Sequence, residues 1–381
     1  MKLGLLADLH FRGRDLADKS RALRSALRDM RSRGVEWVLD AGDTFDSPRV
    51  LDRHAATGTI YRAFLDPVEE AAIPWLILDG NHTMAGPRDQ GALAVLARKN
   101  RDLIQVVSRP EVVTRHAGLS GPGAGVAVGC LPWGSKAHWL AQPGVRDLSP
   151  EEQAQRWQSM GLAVLQGLRR ELAQEAGFKV LLGHVEVAGS VNSYRFILPG
   201  STFQFAQTDL DAVGADLVAL GHYHRRQGYY LGAFTQLHFG EEGNPTGWLF
   251  VDTATGDREF VDVAAPRYYT VRSEDYRRDD YQAWDRVRII GAEPPALQHR
   301  DQTPGAPVLQ VARLSLPRED QFGVDLDGIS LQVCAGEIVG IAGVSGNGQK
   351  ELLYALSGED CRSAPGSIRM GATDMAPLHP G

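Results

Sequence analysis

Cysteine is scarce in this chain. Three occur among 381 residues, Cys130, Cys334 and Cys361, far apart and with no Cys-x-x-Cys pair. An odd, scattered set argues against both a disulfide framework and a thiolate zinc site, and reads most simply as small core residues. Long apolar runs are missing as well. None approaches the roughly 18 residues of a membrane span, and the stretch before Asp8 is too short for a signal peptide, so a cytoplasmic protein without membrane insertion is expected. Nor is there an excess of positive charge: 40 Lys and Arg stand against 47 Asp and Glu, a net charge of -7. That balance opposes indiscriminate nucleic-acid binding by the whole surface, though it leaves room for a local basic patch. With 8% aromatics and 43% hydrophobic residues the composition is that of a soluble globular protein, long enough for two or three domains.

What the chain does have is a set of ligating residues placed directly after apolar runs. Leu3 to Ala7, Val35 to Leu39, Pro74 to Leu78, Val180 to Leu182 and Leu217 to Leu220 read as buried strands. They are followed by Asp8-Leu9-His10, Gly42-Asp43, Gly80-Asn81-His82, Gly183-His184 and Gly221-His222-Tyr223-His224. In layered α/β folds functional groups gather beyond the carboxyl ends of strands, so five distant segments can deliver side chains to one place. Asp, Asn and His supply oxygen and nitrogen donors without sulfur, a set suited to manganese, iron or zinc. Seven ligands (Asp8, His10, Asp43, Asn81, His184, His222 and His224) fit two ions better than one. A central carboxylate, for which Asp43 is the candidate, can bridge ions about 3.5 to 4 Å apart that clamp a phosphoryl displacement and activate water. His54, His116, His138, His238, His299 and His379 lack such context and read as ordinary histidines.

Residues 1–266 alternate strand-like runs with helical stretches at Ser20 to Arg33, Ala55 to Ala72 and Glu151 to Gly177, which predicts an α/β (α+β) sandwich of two sheets flanked by helices. Trp248 to Asp252 and Glu259 to Val263 read as a closing hairpin. Between Arg12 and Arg33, Leu23, Leu27 and Met30 recur at helical spacing under a run of arginines, giving an amphipathic helix with a cationic outer face. Arg12, Arg225 and Arg226 are candidate contacts to a nucleic-acid backbone, the last two because they follow His224 directly. Residues 267–306, polar and then proline-rich, read as a linker or the remnant of a capping domain. A second module restarts at 307–381.

The five motifs resemble those of the calcineurin-like metallophosphoesterases, and within them the SbcD-type DNA repair nucleases, over roughly the first 265 residues. Leu131-Pro132-Trp133, Leu217 through His224 and Phe239-Gly240-Glu241 add to the likeness. The resemblance implies that Asp8, His10, Asp43 and His224 hold one ion and Asp43, Asn81, His184 and His222 the other, both manganese. It makes His82 the catalytic residue, meeting the scissile phosphate and assisting the leaving oxygen, a role suited to imidazole. Two departures stand out: Thr83 occupies a place that is commonly acidic, and Asp46 one where some relatives carry a second histidine. The implied activity is phosphodiester hydrolysis in DNA, exonucleolytic or endonucleolytic, in repair and recombination. The implied partners are DNA, an SbcC-type ABC ATPase and a second copy of the chain. A phosphodiesterase or phosphatase acting on a small molecule or nucleotide would use the same metal pair.

In the second module, Gly343-Val344-Ser345-Gly346-Asn347-Gly348-Gln349-Lys350 follows the expected strand Glu337 to Ala342 and opens a helix at Glu351 to Leu356, the context of a phosphate loop. The register is displaced: Gln349 and Lys350 stand where Lys and Ser or Thr are required, which argues against ATP hydrolysis. The segment is similar to the start of an ABC ATPase of sugar- or nucleoside-importer type, truncated, and an ATP-binding importer subunit is the competing reading of another class.

Overall fold

Central strands of the first unit such as Trp37–Asp40, Trp75–Leu78 and Leu217–Gly221 are made mostly of Leu, Val, Ile, Trp and Ala, as strands covered on both faces are. Longer stretches with apolar residues three and four apart pack over them as helices. The computed structural model describes residues 1–12, 15–46, 54–83, 92–116, 125–140, 142, 144–145, 147–191, 202–290, 305–318, 324–341, 348–358, 360 and 362–375. The chain forms two compact units, Met1–Ala292 and Glu293–Gly381.

The first unit begins β1 (Lys2–Leu6), α1 (Leu16–Ser32), β2 (Trp37–Asp40), α2 (His54–Ala71), β3 (Trp75–Leu78), α3 (Ala92–Lys99) and β4 (Ile104–Val107). It continues with β5 (Glu111–His116), β6 (Gly125–Leu131), α4 (Lys136–Leu140), α5 (Pro150–Gln174), β7 (Phe178–His184), β8 (Glu186–Val187), β9 (Gln204–Phe205), α6 (Gln207–Asp211) and β10 (Leu217–Gly221). The hairpin β11 (Gly247–Asp252) and β12 (Arg258–Asp262) follows, and then the parallel ribbon β13 (Tyr268–Arg272) and β14 (Arg286–Ile290).

One sheet has the order β12-β11-β1-β2-β3-β4, with β1 to β4 parallel. The other is β10-β7-β6-β5, antiparallel only at β5. Strand side chains alternate between faces. Leu3, Leu5, Trp37, Leu39, Leu76 and Leu78 therefore meet Val126, Val128, Cys130, Val180, Leu182 and Ala219 in the core between the sheets. On the outer face of the first sheet, Leu6, Val38 and Trp75 pack with Leu23, Leu27 and Met30 of α1 and Phe64 and Val68 of α2. Leu131, Leu181 and Leu220 pack with Leu165, Leu168 and Leu172 of α5 on the other side. The result is the helix-sheet-sheet-helix sandwich that the alternation implies. Among the described residues no helix is long and apolar enough to cross a membrane.

The segment from 267, expected as a linker or the remnant of a capping domain, starts with β13 and β14, which belong to the first unit. Side chains anchor it: Tyr268 N–H donates to Gln236 Oε1 at 2.7 Å and Thr270 N–H to Glu242 Oε1 at 2.9 Å. In the second unit, β15 (Pro307–Leu316), β16 (Leu326–Cys334), α7 (Gln349–Ser357), β17 (Ile368–Met370) and β18 (Thr373–Asp374) form an antiparallel sheet, β16-β15-β17-β18, with a small core around Leu314, Leu326 and Leu352. The run expected as a strand from Glu337 is irregular through Ile341, and Ile338 is 98% exposed. No described strand pairs with it, and an extended run without a hydrogen-bonding neighbour has nothing to hold it as a strand.

Candidate metal centre

All five motifs lie at or just beyond the carboxyl ends of β1, β2, β3, β7 and β10, three from one sheet and two from the other. Backbone bonds lace the first two loops together: Asp8 N–H donates to Gly42 O at 3.0 Å, and His10 N–H to Asp43 O at 2.9 Å. Carboxylates cross-link the rest. Asp43 Oδ1 accepts from His82 N–H at 2.9 Å, and Asp8 accepts from His222 N–H at 3.1 Å. Asp8, His10, Asp43 and His222 hold left-handed backbone, with φ of 53, 47, 57 and 95°. Non-glycine residues adopt that region only where their surroundings over-determine it, and such residues cluster at functional sites. Glycine is required beside them. A Cβ on Gly80 would lie 2.1 Å from Asp43 Oδ1, and one on Gly42, at φ 107°, 2.5 Å from His184 Nδ1.

The donor atoms converge. His10 Nε2 and His224 Nε2 are 3.0 Å apart, Asp43 Oδ2 is 3.3 Å from His184 Nε2 and 3.8 Å from His10 Nε2, and Asn81 Oδ1 lies 3.0 Å from both His184 Nε2 and His222 Nδ1. Asp8, His10 and His224 form one group able to hold a cation, and Asp8, Asp43 and His184 another. Asp8, His10, Asp43 and His184 are almost wholly buried. Two buried carboxylates, an amide oxygen and four imidazoles turned toward one another, without sulfur, suit divalent cations of intermediate hardness.

Each imidazole is oriented from behind, as ligating histidines generally are. His10 Nδ1 meets Asp46 Oδ1 at 3.0 Å, His224 Nδ1 meets Glu241 Oε1 at 2.6 Å, and His184 Nδ1–H donates to Ala41 O at 2.7 Å. His222 Nε2 lies 3.8 Å from Glu186 Oε1. The remaining nitrogen of each ring therefore faces inward. Charges are divided among them. Burial lowers His10 and His222, whereas at His184 the same burial is outweighed by the Asp43 charge, which raises it to about 9. At His224 burial is likewise outweighed by Glu241, and that ring is raised. Burial would raise Asp43, but His184 holds its carboxyl well below the usual range. A cation entering such a cluster displaces imidazole protons, so its binding is coupled to pH.

His82 stands at the exposed mouth. Its Nδ1–H donates to Asp46 O at 3.3 Å, and its ring is 4.8 Å from that of His10. Asp46 thus braces both histidines, and His10, Asp46 and His82 form a third group that could hold a cation. Thr83, in the commonly acidic position, is buried and accepts Gly80 N–H at 2.8 Å, closing the turn that presents Asn81 and His82. Trp133 packs its ring 4.9 Å from His222 and 5.9 Å from His184.

The arginine candidates separate. Arg225 is exposed directly after His224. Arg226 instead lies over the Phe260 ring at 3.9 Å and lines a groove with Asp211, Leu217 and Arg258 that contains none of the ligands. Stacking on an aromatic face is a favourable alternative to a solvated guanidinium at the metal rim. Arg12 donates to Leu237 O at 3.0 Å. The cationic face of α1 is largely neutralised within the unit, by Arg21 with Asp18, Arg24 with Glu70 and Arg33 with Glu259. In the second unit Gly343 and Gly346 lie outside the described residues. Gly348, at φ 91°, caps α7, Gln349 opens it, and Lys350 Nζ lies over the Tyr354 ring at 5.5 Å.

Sequence reasoning counted Lys19 with the cationic outer face of the helix, which its burial corrects, passed over Glu186 and the Ala41 carbonyl, and gave Asp46 and Glu241 no role. For Lys19 a signal exists: it shares the i, i+4 stripe of Leu23 and Leu27, the buried face of α1. Burial lowers its ammonium to about 7.

The family model of the calcineurin-like phosphoesterases matches residues 1–226. Among solved structures, a dimetal phosphatase from Danio rerio is similar at 13% identity, covering 66% of this chain and 91% of that one, with a TM-score of 0.39. TT1561 of Thermus thermophilus is similar at 13% identity over 68% of this chain and 98% of that one, with a TM-score of 0.36. Among curated proteins, the glucose import ATP-binding protein TsgD13 of Haloferax volcanii is 36% identical over 113 residues, 29% of this chain and 19% of that protein. The nucleoside import ATP-binding protein NupA of Lactococcus lactis is 40% identical over 73 residues, 19% of this chain and 14% of that protein. The chain spans less than a fifth of the length of these curated relatives.

Proposed function

The chain belongs to the calcineurin-like phosphoesterases, and from that premise we propose that it is a manganese-dependent DNA nuclease of the SbcD type, hydrolysing phosphodiester bonds in repair or recombination. The observation that carries the reading is the convergence of Asp8, His10, Asp43, Asn81, His184, His222 and His224, with His10, His184 and His224 hydrogen-bonded from behind by an oxygen and His222 backed by Glu186 at 3.8 Å. Asp8, His10, Asp43 and His224 would hold one ion, and Asp43, Asn81, His184 and His222 the other. Two such ions supply Lewis acidity at the phosphoryl oxygens and lower the pKa of water.

The protein's own groups do the rest. Asp43 and Asp8 bring anionic charge to the floor of the site, and the left-handed loops hold it there without reorganisation on substrate binding. His82 donates through Nδ1 to Asp46 O, which leaves Nε2 to carry a proton at the mouth, where a leaving oxygen departs. Trp133 walls the site beside His222. Two segments that support the nuclease over other phosphoesterases stand on the ligands themselves: Trp133 of Leu131-Pro132-Trp133, and Glu241 of Phe239-Gly240-Glu241 on His224. Arg225, exposed beyond His224, is the candidate contact to the DNA backbone. The proposal extends to an SbcC-type ATPase and a second copy of the chain as partners, in the cytoplasm.

A second reading has its own support. The net charge of -7 and the internal pairing of the α1 arginines suit a small phosphodiester or phosphomonoester better than a long polyanion. Incubating the purified chain with linear duplex DNA and with bis(4-nitrophenyl) phosphate, under manganese, magnesium or chelator, decides between them. Manganese-dependent degradation of DNA ends is expected, abolished by Asp43→Ala. The His82→Ala protein should retain its metal yet lose about 10²- to 10⁴-fold in rate, the usual contribution of a positioned proton donor. Ester cleavage without DNA degradation would establish the second reading, and full activity in His82→Ala would remove His82 from catalysis.

A further inference from the structure

Lys19, on the buried face of α1, is 4% exposed, yet its ammonium forms no carboxylate ion pair among the described residues. It spends its donors on two backbone carbonyls of the metal loop: Nζ donates to Leu9 O at 2.7 Å and to His10 O at 2.5 Å. Those carbonyls follow Asp8 and flank His10, the two ligands of the loop held at φ 53 and 47°. Left-handed backbone at such residues persists only when surrounding contacts impose it, and a buried carbonyl needs a donor. On the amide side the constraint comes from His10 N–H to Asp43 O at 2.9 Å, and on the side chain from Asp46 at 3.0 Å. On the carbonyl side it comes from Lys19. An amine retains at least two N–H donors in either protonation state, one for each carbonyl.

We infer that Lys19 is a positioning residue for His10: it clamps the Leu9 and His10 carbonyls so that the His10 imidazole stays aimed at His224, and the ion at the Asp8, His10 and His224 cluster depends on it. The ion at Asp43, Asn81, His184 and His222 depends on it far less, because Asn81, His184 and His222 are presented at the ends of β3, β7 and β10 and Asp43 by the loop after β2, none of which Lys19 bonds. The inference rests on the metal-centre reading and adds a residue outside the ligand set, reached from a helix rather than a loop.

Manganese titration of the full chain by calorimetry tests it, with hydrogen exchange of the metal-free protein alongside. Wild type should bind two ions. In Lys19→Met one site should weaken about 10- to 100-fold, the effect typical of lost outer contacts to a ligand, with the other site within about twofold. Lys19→Gln, which keeps two N–H donors on a shorter arm, should fall between. In metal-free Lys19→Met, the His10 and Phe11 amides should exchange faster and those of β10 should not. Wild type that binds no manganese would overturn the metal centre and this inference together. Wild type with two ions and Lys19→Met with the same two affinities would overturn the inference alone. Unfolding of both variants would make Lys19 a fold-holding residue and likewise overturn it.

Discussion

At the scale of single residues, the loop after β2 shows how a candidate ligand is held by a neighbour outside the donor cluster. Asp40, wholly buried, accepts Gly42 N–H at 3.0 Å and Thr44 O–H at 2.8 Å, and so shapes the turn that presents Asp43. Burial, aided by the Asp8 charge, raises its carboxyl from 3.8 to about 8. Between those values the folded chain keeps a proton that the unfolded chain has released, so stability must fall as pH rises through that window. Asp40→Asn keeps one of the two acceptors and removes the charge. In the metal-free protein its unfolding free energy from urea melts should gain on wild type progressively from about pH 4 to about pH 8 and then level off, by about 5 kcal/mol at most. A difference independent of pH would refute the assignment. The residues whose donor atoms converge were legible in the sequence because each lies just after an apolar run. Their outer partners were not: Asp46, Glu186, Glu241 and the Ala41 carbonyl reach them across the fold, and no spacing along the chain announces such a meeting.

At the scale of elements, the two metal loops are supported by one helix. Phe11 follows His10, Phe45 lies two residues after Asp43, and the rings of both meet Phe64 of α2 edge-on at 5.6 Å, with Trp75 of β3 at 5.4 Å on the same ring. Phe64 is fully buried. Phe64→Ala should therefore cost about 3–5 kcal/mol of stability, as large-to-small aromatic changes in cores do. It should also weaken metal binding at temperatures where the protein remains folded, which calorimetric titration beside a denaturation curve would register. Unaltered metal affinity in a destabilised protein would show that the loops hold their shape without α2. Strands β1, β2, β3, β7 and β10 and helices α1, α2 and α5 were readable from periodicity, because burial on both faces, or along one stripe, leaves a regular pattern. β13 and β14 were not, since polar and Tyr-rich sequence carries no such period and the ribbon is held by side-chain anchors at Gln236 and Glu242. The run after Glu337 failed in the opposite sense: its apolar pattern promises a strand, but pairing is a tertiary matter that pattern cannot supply.

At the scale of the whole molecule, chemistry and bulk are unevenly divided. Every candidate ligand, every outer partner, His82 and Lys19 fall within Met1–Ala292, while the unit Glu293–Gly381 builds its core on a few residues around Leu314, Leu326 and Leu352. A unit of that size buries a smaller share of its surface than a larger domain and is correspondingly marginal. Its Ile338, Leu353 and Met370 are exposed, and Lys350 is turned onto Tyr354. The second unit should therefore lose hydrogen-exchange protection first under mild urea, with the metal-bearing unit protected to higher concentration. A chain ending at Ala292 should hydrolyse phosphodiesters with the same metal dependence as the full chain. ATP should neither bind the full chain in an equilibrium titration nor change its hydrolytic rate. The importer reading requires the opposite result on both counts. If ATP bound tightly and its binding altered hydrolysis, the two units would be coupled, and the displaced loop at Gln349 and Lys350 would be a working nucleotide site in spite of its register.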